Sequence, residues 1–154
     1  MKKITAASFS ICFLFLSITI HAQQQLTLPN GWGLSPAGRS LPLGDLPLNM
    51  AVSSSKKYLA VTNNGQSTQT LQLINAKKEI VLDNIEIPKS WLGLKFSSDE
   101  KYLFASGGND NWILQYAIVD DKLQLKDSIS LGKKWPNKIS PTGIDIDDER
   151  IYYM

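Results

Sequence analysis

Ten side chains have types and spacings that could build a binding surface: Asp45, Asn49, Asn63, Asn64, Lys89, Trp91, Asn109, Asp110, Asn111 and Trp135. Amides and carboxylates hydrogen-bond a polar ligand, and indole rings stack on a sugar, base or peptide ring. Each also has a structural meaning. Asn63 to Gly65 and Gly107 to Asn111 supply positive-φ turn positions, and Trp91 suits packing between neighbouring elements. Trp135 stands among Lys133, Lys134 and Lys138, a mixture of charge and stacking surface that suits single-stranded nucleic acid. A solvated basic loop is the commoner meaning, so nucleic acid is not the expected partner. Asp145, Asp147, Asp148 and Glu149 have enough oxygen for calcium. They fall where a turn favours Asp, without a glycine at EF-hand spacing, so no metal site is expected. Carboxylate pairs also serve glycoside hydrolysis, but turn carboxylates open to water have no cause for a shifted pKa.

What is missing narrows the chemistry further. Lys2 and Lys3, the apolar run Ile4 to Ile20, and Ile20-His21-Ala22 follow the order of a secretory signal cleaved after Ala22. That run of 17 residues includes five hydroxyl side chains. It is shorter than the roughly 20 apolar residues of a membrane span. The expected product is therefore exported, periplasmic or secreted, with no stable span after processing. Of 154 residues, removal of 22 leaves 132, with 14 basic and 14 acidic side chains and neither Cys12 nor His21. Without His or Cys there is no Ser-His-Asp triad, no thiol nucleophile, no disulfide and no Cys/His zinc or haem site. The sequence also lacks GxxxxGK[ST], GxSxG and HExxH. No catalytic residue and no cofactor is expected within it.

The elements that must position these residues are strands. Short alternating runs such as Lys57 to Thr62, Thr70 to Ile74 and Lys101 to Ser106 are separated by Asn, Gly, Ser and Asp clusters. Sliding the chain against itself by 44 residues places Lys57-Tyr58-Leu59 on Lys101-Tyr102-Leu103 and Val52-Ser53-Ser54 on Phe96-Ser97-Ser98. Gly143-Ile144-Asp145-Ile146 matches Gly93-Leu94-Lys95-Phe96 at a shift of 50, so about six residues are inserted around 133–140. A repeat of about 40 to 50 residues with four short strands is the mark of a propeller blade.

The fold class is thus all-β, a partial β-propeller of about two and a half four-stranded blades. Numbering strands A to D outward from the hub, blade one is expected at 48–53, 57–62, 70–75 and 79–87. Blade two is expected at 92–97, 101–106, 112–118 and 123–131, and blade three begins at 142–146 and 150 onward. Residues 39–44 match strand D and are expected to close the last blade within a 23–47 N-terminal segment. Because propellers close with four to eight blades, the chain is expected to be the N-terminal piece of a longer product, with its own further blades as partners. The alternative is a small self-contained β-sandwich. In the propeller, the D-to-A and B-to-C loops share one face, which puts the ten candidate residues on one rim.

Ala60 to Asn64, then Leu71 to Asn75, then Lys78 to Val81 resemble the YVTN repeat. Leu28 to Trp32, Leu34 to Arg39, Leu43 to Asn49, Ser90 to Gly93 and Ser106 to Asn111 are similar to the opening of exported YncE-like propeller proteins of the Bacteroidetes type. The resemblance covers roughly residues 26–154. It implies a seven-bladed propeller followed by an alkaline-phosphatase-like phosphoesterase domain, a hydrolase whose metal site and Thr or Ser nucleophile lie downstream. It departs at Leu59-Ala60-Val61 and at Asn75, where the repeat has a Tyr-Val start and Asp, and no phosphatase motif lies in this stretch. A propeller lactonase is the other enzymatic reading, but it needs metal-binding carboxylates or His at the channel mouth, where only Asp45 and Asp110 are acidic. The functional expectation is a non-catalytic binding or scaffold module with an unidentified small ligand.

Overall fold

The computed structural model describes residues 26–34, 38–132, 139–147 and 150–154. The expected signal, residues 1–22, lies outside them, as do Trp135 and its lysines. The chain divides into two units, Met1–Ser40 and Leu41–Met154. In the first, β1 (Leu26–Thr27) and β2 (Gly33–Leu34) form a short hairpin. Its turn is closed by the Leu28 N–H donating to the Trp32 carbonyl at 2.7 Å.

The second unit carries two four-stranded antiparallel sheets and one hairpin. The first sheet runs in order β3 (Pro47–Val52), β4 (Tyr58–Asn63), β5 (Thr70–Asn75) and β6 (Ile80–Glu86). The next runs β7 (Leu94–Phe96), β8 (Tyr102–Ser106), β9 (Trp112–Val119) and β10 (Lys122–Ser130), and β11 (Ile144–Ile146) pairs with β12 (Ile151–Tyr153). The first strands lie side by side, β3 against β7 and β7 against β11, while β10 meets β6 at the outer edge. Sheets that meet along their first strands and stack face to face are propeller blades, here two and the inner half of a third. The sandwich alternative fails on this arrangement. Among the described residues, no helix is long and apolar enough to cross a membrane.

The 44-residue repeat holds atom by atom. Ser53 N–H donates to the Tyr58 carbonyl at 3.0 Å, and Ser97 N–H to that of Tyr102 at 2.9 Å. In each turn the serine hydroxyl accepts the tyrosine N–H, at 3.1 and 3.0 Å. Lys56 and Glu100 take the left-handed conformation at φ 60° and 58°. One position departs from expectation. Residues 39–44 are not a strand. A strand persists only with a ladder partner, and the segment from Leu41 instead crosses the loop end of blade one, where the Gly44 N–H reaches Gln72 Oε1 at 3.4 Å.

The core lies between the blades. Alternation in β4 and β5 sends Tyr58, Ala60, Leu71 and Leu73 toward blade two, where they meet Leu94, Phe96, Leu103, Ala105, Leu114 and Tyr116 in one buried cluster. On blade one, Met50 and Val52 are 57% and 52% exposed, while their repeat equivalents Leu94 and Phe96 are buried.

Polar ties join the blades on the face opposite the rim. Glu100 accepts from the Ser55 N–H and, at 2.7 Å, from its hydroxyl. Asp121 accepts from the Tyr58 hydroxyl and pairs with Lys57 at 3.1 Å. Asp83 accepts the Leu123 N–H at 2.8 Å and pairs with Lys122 at 3.3 Å.

Glu100 and Asp121 of these ties, and Asp99 within its own turn, have a consequence in acid. The Ser97 hydroxyl, then the Lys101 N–H and ammonium, lower the Asp99 carboxyl from 3.8 to about 2. Bonds from Ser55 lower Glu100, and bonds from Tyr58 and Lys57 lower Asp121. A carboxyl whose pKa is lower in the folded than in the unfolded chain stabilises the fold above its unfolded pKa. That contribution fades as pH falls through the folded value. Thermal unfolding midpoints are therefore expected to fall as pH drops from about 4 toward 2, and less steeply in Asp99→Asn. An identical slope in the variant would remove Asp99 from this account.

Candidate functional site

The loop from blade one into blade two is fixed at both ends by buried groups. Ile87 is buried and its N–H donates to the Gln69 carbonyl at 3.0 Å. Ser90, also buried, donates its N–H to Gln69 Oε1 at 3.0 Å and its hydroxyl to Asn64 Oδ1 at 3.0 Å. Asn64 Nδ2 returns a bond to the Ser90 carbonyl at 3.2 Å. This closed exchange pins Ser90 and leaves the flanking side chains, Lys89 and Trp91, exposed.

The opposing wall is the loop between β8 and β9. Its single 3-10 turn, Gly108–Asp110, starts where the Gly108 N–H meets the Ser106 hydroxyl at 3.1 Å. Gly108 sits at φ 53°, a conformation glycine adopts without strain, with the Ser90 carbonyl 3.4 Å from where a Cβ would stand. Gly107 has a different reason to be glycine, because a Cβ there would lie 1.5 Å from Cδ1 of Trp112. The Ser106 hydroxyl also donates to the Pro141 carbonyl, which anchors the approach to blade three.

Between these walls lies a cleft of about 260 Å³ lined by Asn64, Gln69, Lys89, Ser90, Trp91, Gly108, Asn109 and Ser140. Lys89 is the one ionised side chain of that lining. Trp91 is 43% exposed, so part of its indole is open to a partner. A cation, amides and an open aromatic surface provide recognition chemistry. No nucleophile with an adjacent base stands in this lining.

Of the ten expected rim residues, the structure gathers four here: Asn64, Lys89, Trp91 and Asn109. Four others have structural roles. Asp45 caps the loop between β4 and β5, accepting the N–H groups of Gln66 and Ser67 at 2.7 and 3.2 Å. Asn49 clasps the hub, its Nδ2 donating to the Leu92 carbonyl. Asn63 is 1% exposed, and its Nδ2 donates to Thr70 Oγ1 and Gln72 Oε1, each at 3.0 Å. Asn111 is fully buried at φ 62°, in the turn role expected of asparagine. Asn63 and Asn111 are buried, whereas Asp45, which is exposed, and Asn49, which is half-buried, bond the framework while keeping part of their surface open. Asp110 belongs to the 3-10 turn and is absent from the cleft lining, and Trp135 is outside the described residues. Sequence reasoning missed Gln69, Ser90 and Ser140. For Ser90 the available signal was its place between Lys89 and Trp91.

Of the acidic group near blade three, Asp148 and Glu149 lie outside the described residues, and Asp145 and Asp147 are engaged. Asp145 pairs with Lys95 at 2.8 Å, and Asp147 accepts from the Arg150 N–H at 2.6 Å and the Tyr152 hydroxyl at 2.9 Å.

No family model and no curated protein matches the sequence. Among solved structures, the chain is similar to a hydrazine synthase of Kuenenia stuttgartiensis, with a TM-score of 0.57 and 15% identity. The match covers 77% of this chain and 32% of that one, so the chain spans about a third of that structure's length. The hydrazine synthase has a propeller-like fold, and at this identity the similarity shows fold alone.

Proposed function

We propose that the chain is a non-catalytic β-propeller binding module that holds a small polar ligand in the cleft between the first two blades. The observation that carries this reading is the convergence of Lys89, Trp91, Asn64 and Asn109 from three different loops on one concavity. Backbone and side-chain bonds around Ser90 preorganise it, which reduces the ordering cost of binding. The indole offers stacking area and Lys89 favours a ligand carrying negative charge. The test is titration of intrinsic tryptophan fluorescence with acidic and neutral sugars and short peptides. Saturable binding of at least one class is expected, weakened about tenfold or more by Trp91→Ala, in the range of an interface anchor. Asp110→Ala, which removes a side chain outside the lining, should bind as wild type. A panel without saturation, or with affinity indifferent to Trp91, would overturn the reading.

The resemblance to exported YncE-like proteins supports a wider proposal: the module belongs to a larger exported protein, with further blades and a phosphoesterase domain as its partners. The exposed Met50 and Val52, whose counterparts in blade two are covered, favour a further blade against blade one. In that proposal hydrolysis belongs to the phosphoesterase domain, while the cleft supplies recognition.

A further inference from the structure

Ser90 sets the hydrogen-bonding polarity of the cleft as well as its shape. Its N–H donates to Gln69 Oε1 at 3.0 Å, and its carbonyl accepts from Asn64 Nδ2 at 3.2 Å. A backbone N–H donates and a carbonyl accepts, so neither side-chain amide can turn over without losing its bond. The Ser90 hydroxyl also engages Asn64 Oδ1, at 3.0 Å. Both amide oxygens are therefore occupied, while Gln69 Nε2 meets no acceptor among the described residues. The Gln69 backbone is held as well, its carbonyl accepting the Ile87 N–H at 3.0 Å. What this wall still offers is donors: both N–H bonds of the Gln69 amide and the second N–H of Asn64.

The rest of the lining narrows the ligand further. Lys89, its one cation, matches one negative charge. A carboxylate brings that charge, whereas a phosphate monoester brings about −1.5 to −2 at pH 7. Trp91, 43% exposed, offers its indole to the C–H face of a ring. At about 260 Å³ the cleft is smaller than the roughly 300 to 1,000 Å³ that takes a drug-sized molecule, and suits a single ring. Asn109 and Ser140 line it with groups that both donate and accept, as sugar hydroxyls do. A peptide would instead bring backbone N–H groups to a wall whose amide oxygens are already occupied.

We propose, resting on the reading of this cleft as a ligand site, that its ligand is a uronic acid, a pyranose carrying one carboxylate. Lys89 and Gln69 receive the carboxylate, the ring lies on Trp91, and Asn109 and Ser140 meet the hydroxyls. Gln69 determines specificity. Its donors, aimed by the Ser90 N–H, are complementary to an acceptor without protons and unfavourable to an ammonium group.

The test is an NMR titration of the isotope-labelled full chain with glucuronate, glucose, glucosamine, glucose-6-phosphate and a short acidic peptide. Glucuronate should saturate, shift the side-chain N–H signals of Gln69 and Trp91, and bind about tenfold or more tightly than each of the others, as a charge-assisted bond to a matched donor does. Gln69→Glu keeps an oxygen for the Ser90 N–H and replaces the donors by a negative charge. It should reverse the order, placing glucosamine above glucuronate, with glucose affected least. Lys89→Gln, an exposed change that serves should Gln69→Glu fold poorly, should bring glucuronate down to within about threefold of glucose. Equal affinity for glucuronate and glucose, or a preference that neither substitution moves, would overturn the uronic acid. Tighter binding of the phosphate or the peptide would do the same and name the other source of the anion. In each of these cases loss of binding in Trp91→Ala keeps the cleft as the ligand site. Absence of saturation by every compound, or binding indifferent to Trp91, would overturn both.

Discussion

Leu103→Ala is expected to destabilise the chain by about 3 kcal/mol, within the range for truncating a buried leucine. Leu103 is 0% exposed and stands in the middle of β8, on the face that blade two turns toward blade one. It pairs across the sheet with Phe96 on one side and Tyr116 on the other, both buried in the same cluster. Truncation removes apolar contact with both strands and leaves a void that the paired sheets, held by their ladders, cannot close. Met50→Ala provides the contrast. Met50 is 57% exposed, so its truncation should cost about 0.5 kcal/mol or less. Urea denaturation of the two variants measures the difference, and equal midpoints would mean that the interface between blades is not the core.

The second large effect is expected at Gly107. A methyl group there would sit 1.5 Å from Cδ1 and 1.9 Å from Nε1 of Trp112, inside the ring's van der Waals surface. Gly107 has little freedom to retreat, since its N–H donates to the Trp112 carbonyl at 2.9 Å and its own carbonyl accepts from Asp110 at 3.1 Å. Gly107→Ala should therefore cost about 2 to 3 kcal/mol, the upper part of the range for overpacking. It should also weaken ligand binding, because Gly108 and Asn109 follow directly in the cleft wall. Gly108→Ala meets no such collision but must hold φ 53°, at a cost of about 1 kcal/mol. Combining Gly107→Ala with Trp112→Leu should recover part of the loss, a non-additivity expected only of direct contact. If Gly108→Ala proves the more damaging, backbone conformation rather than the indole governs this loop.

Much of this architecture was legible in the sequence. The repeat, at a shift of 44 and then of 50 for the last two strands, located ten strands of the second unit to within about two residues, down to the serine turns at Ser53 and Ser97. Residues 39–44 alternate like a strand but form none here, since a strand needs a ladder partner that pattern alone does not supply. The rim was legible as a set of loops, yet four of its ten side chains bond the framework. Asn63 and Asn64 are adjacent, but one is sealed inside the sheet and the other lines the cleft. Which neighbour faces outward depends on Thr70, Gln72 and Ser90, contacts that no local pattern encodes.

The sequence by itself determined the class of fold, the strand boundaries and the blade period, because alternation and turn chemistry act over a few residues. It also determined that no His or Cys stands beyond residue 22. Only the tertiary structure decided which rim residues meet, and that Lys57 and Tyr58 grip a carboxylate more than 60 residues away. The physical reason is range: a strand's pleat is set by its own backbone, whereas a hydrogen bond between blades exists only after the sheets have packed.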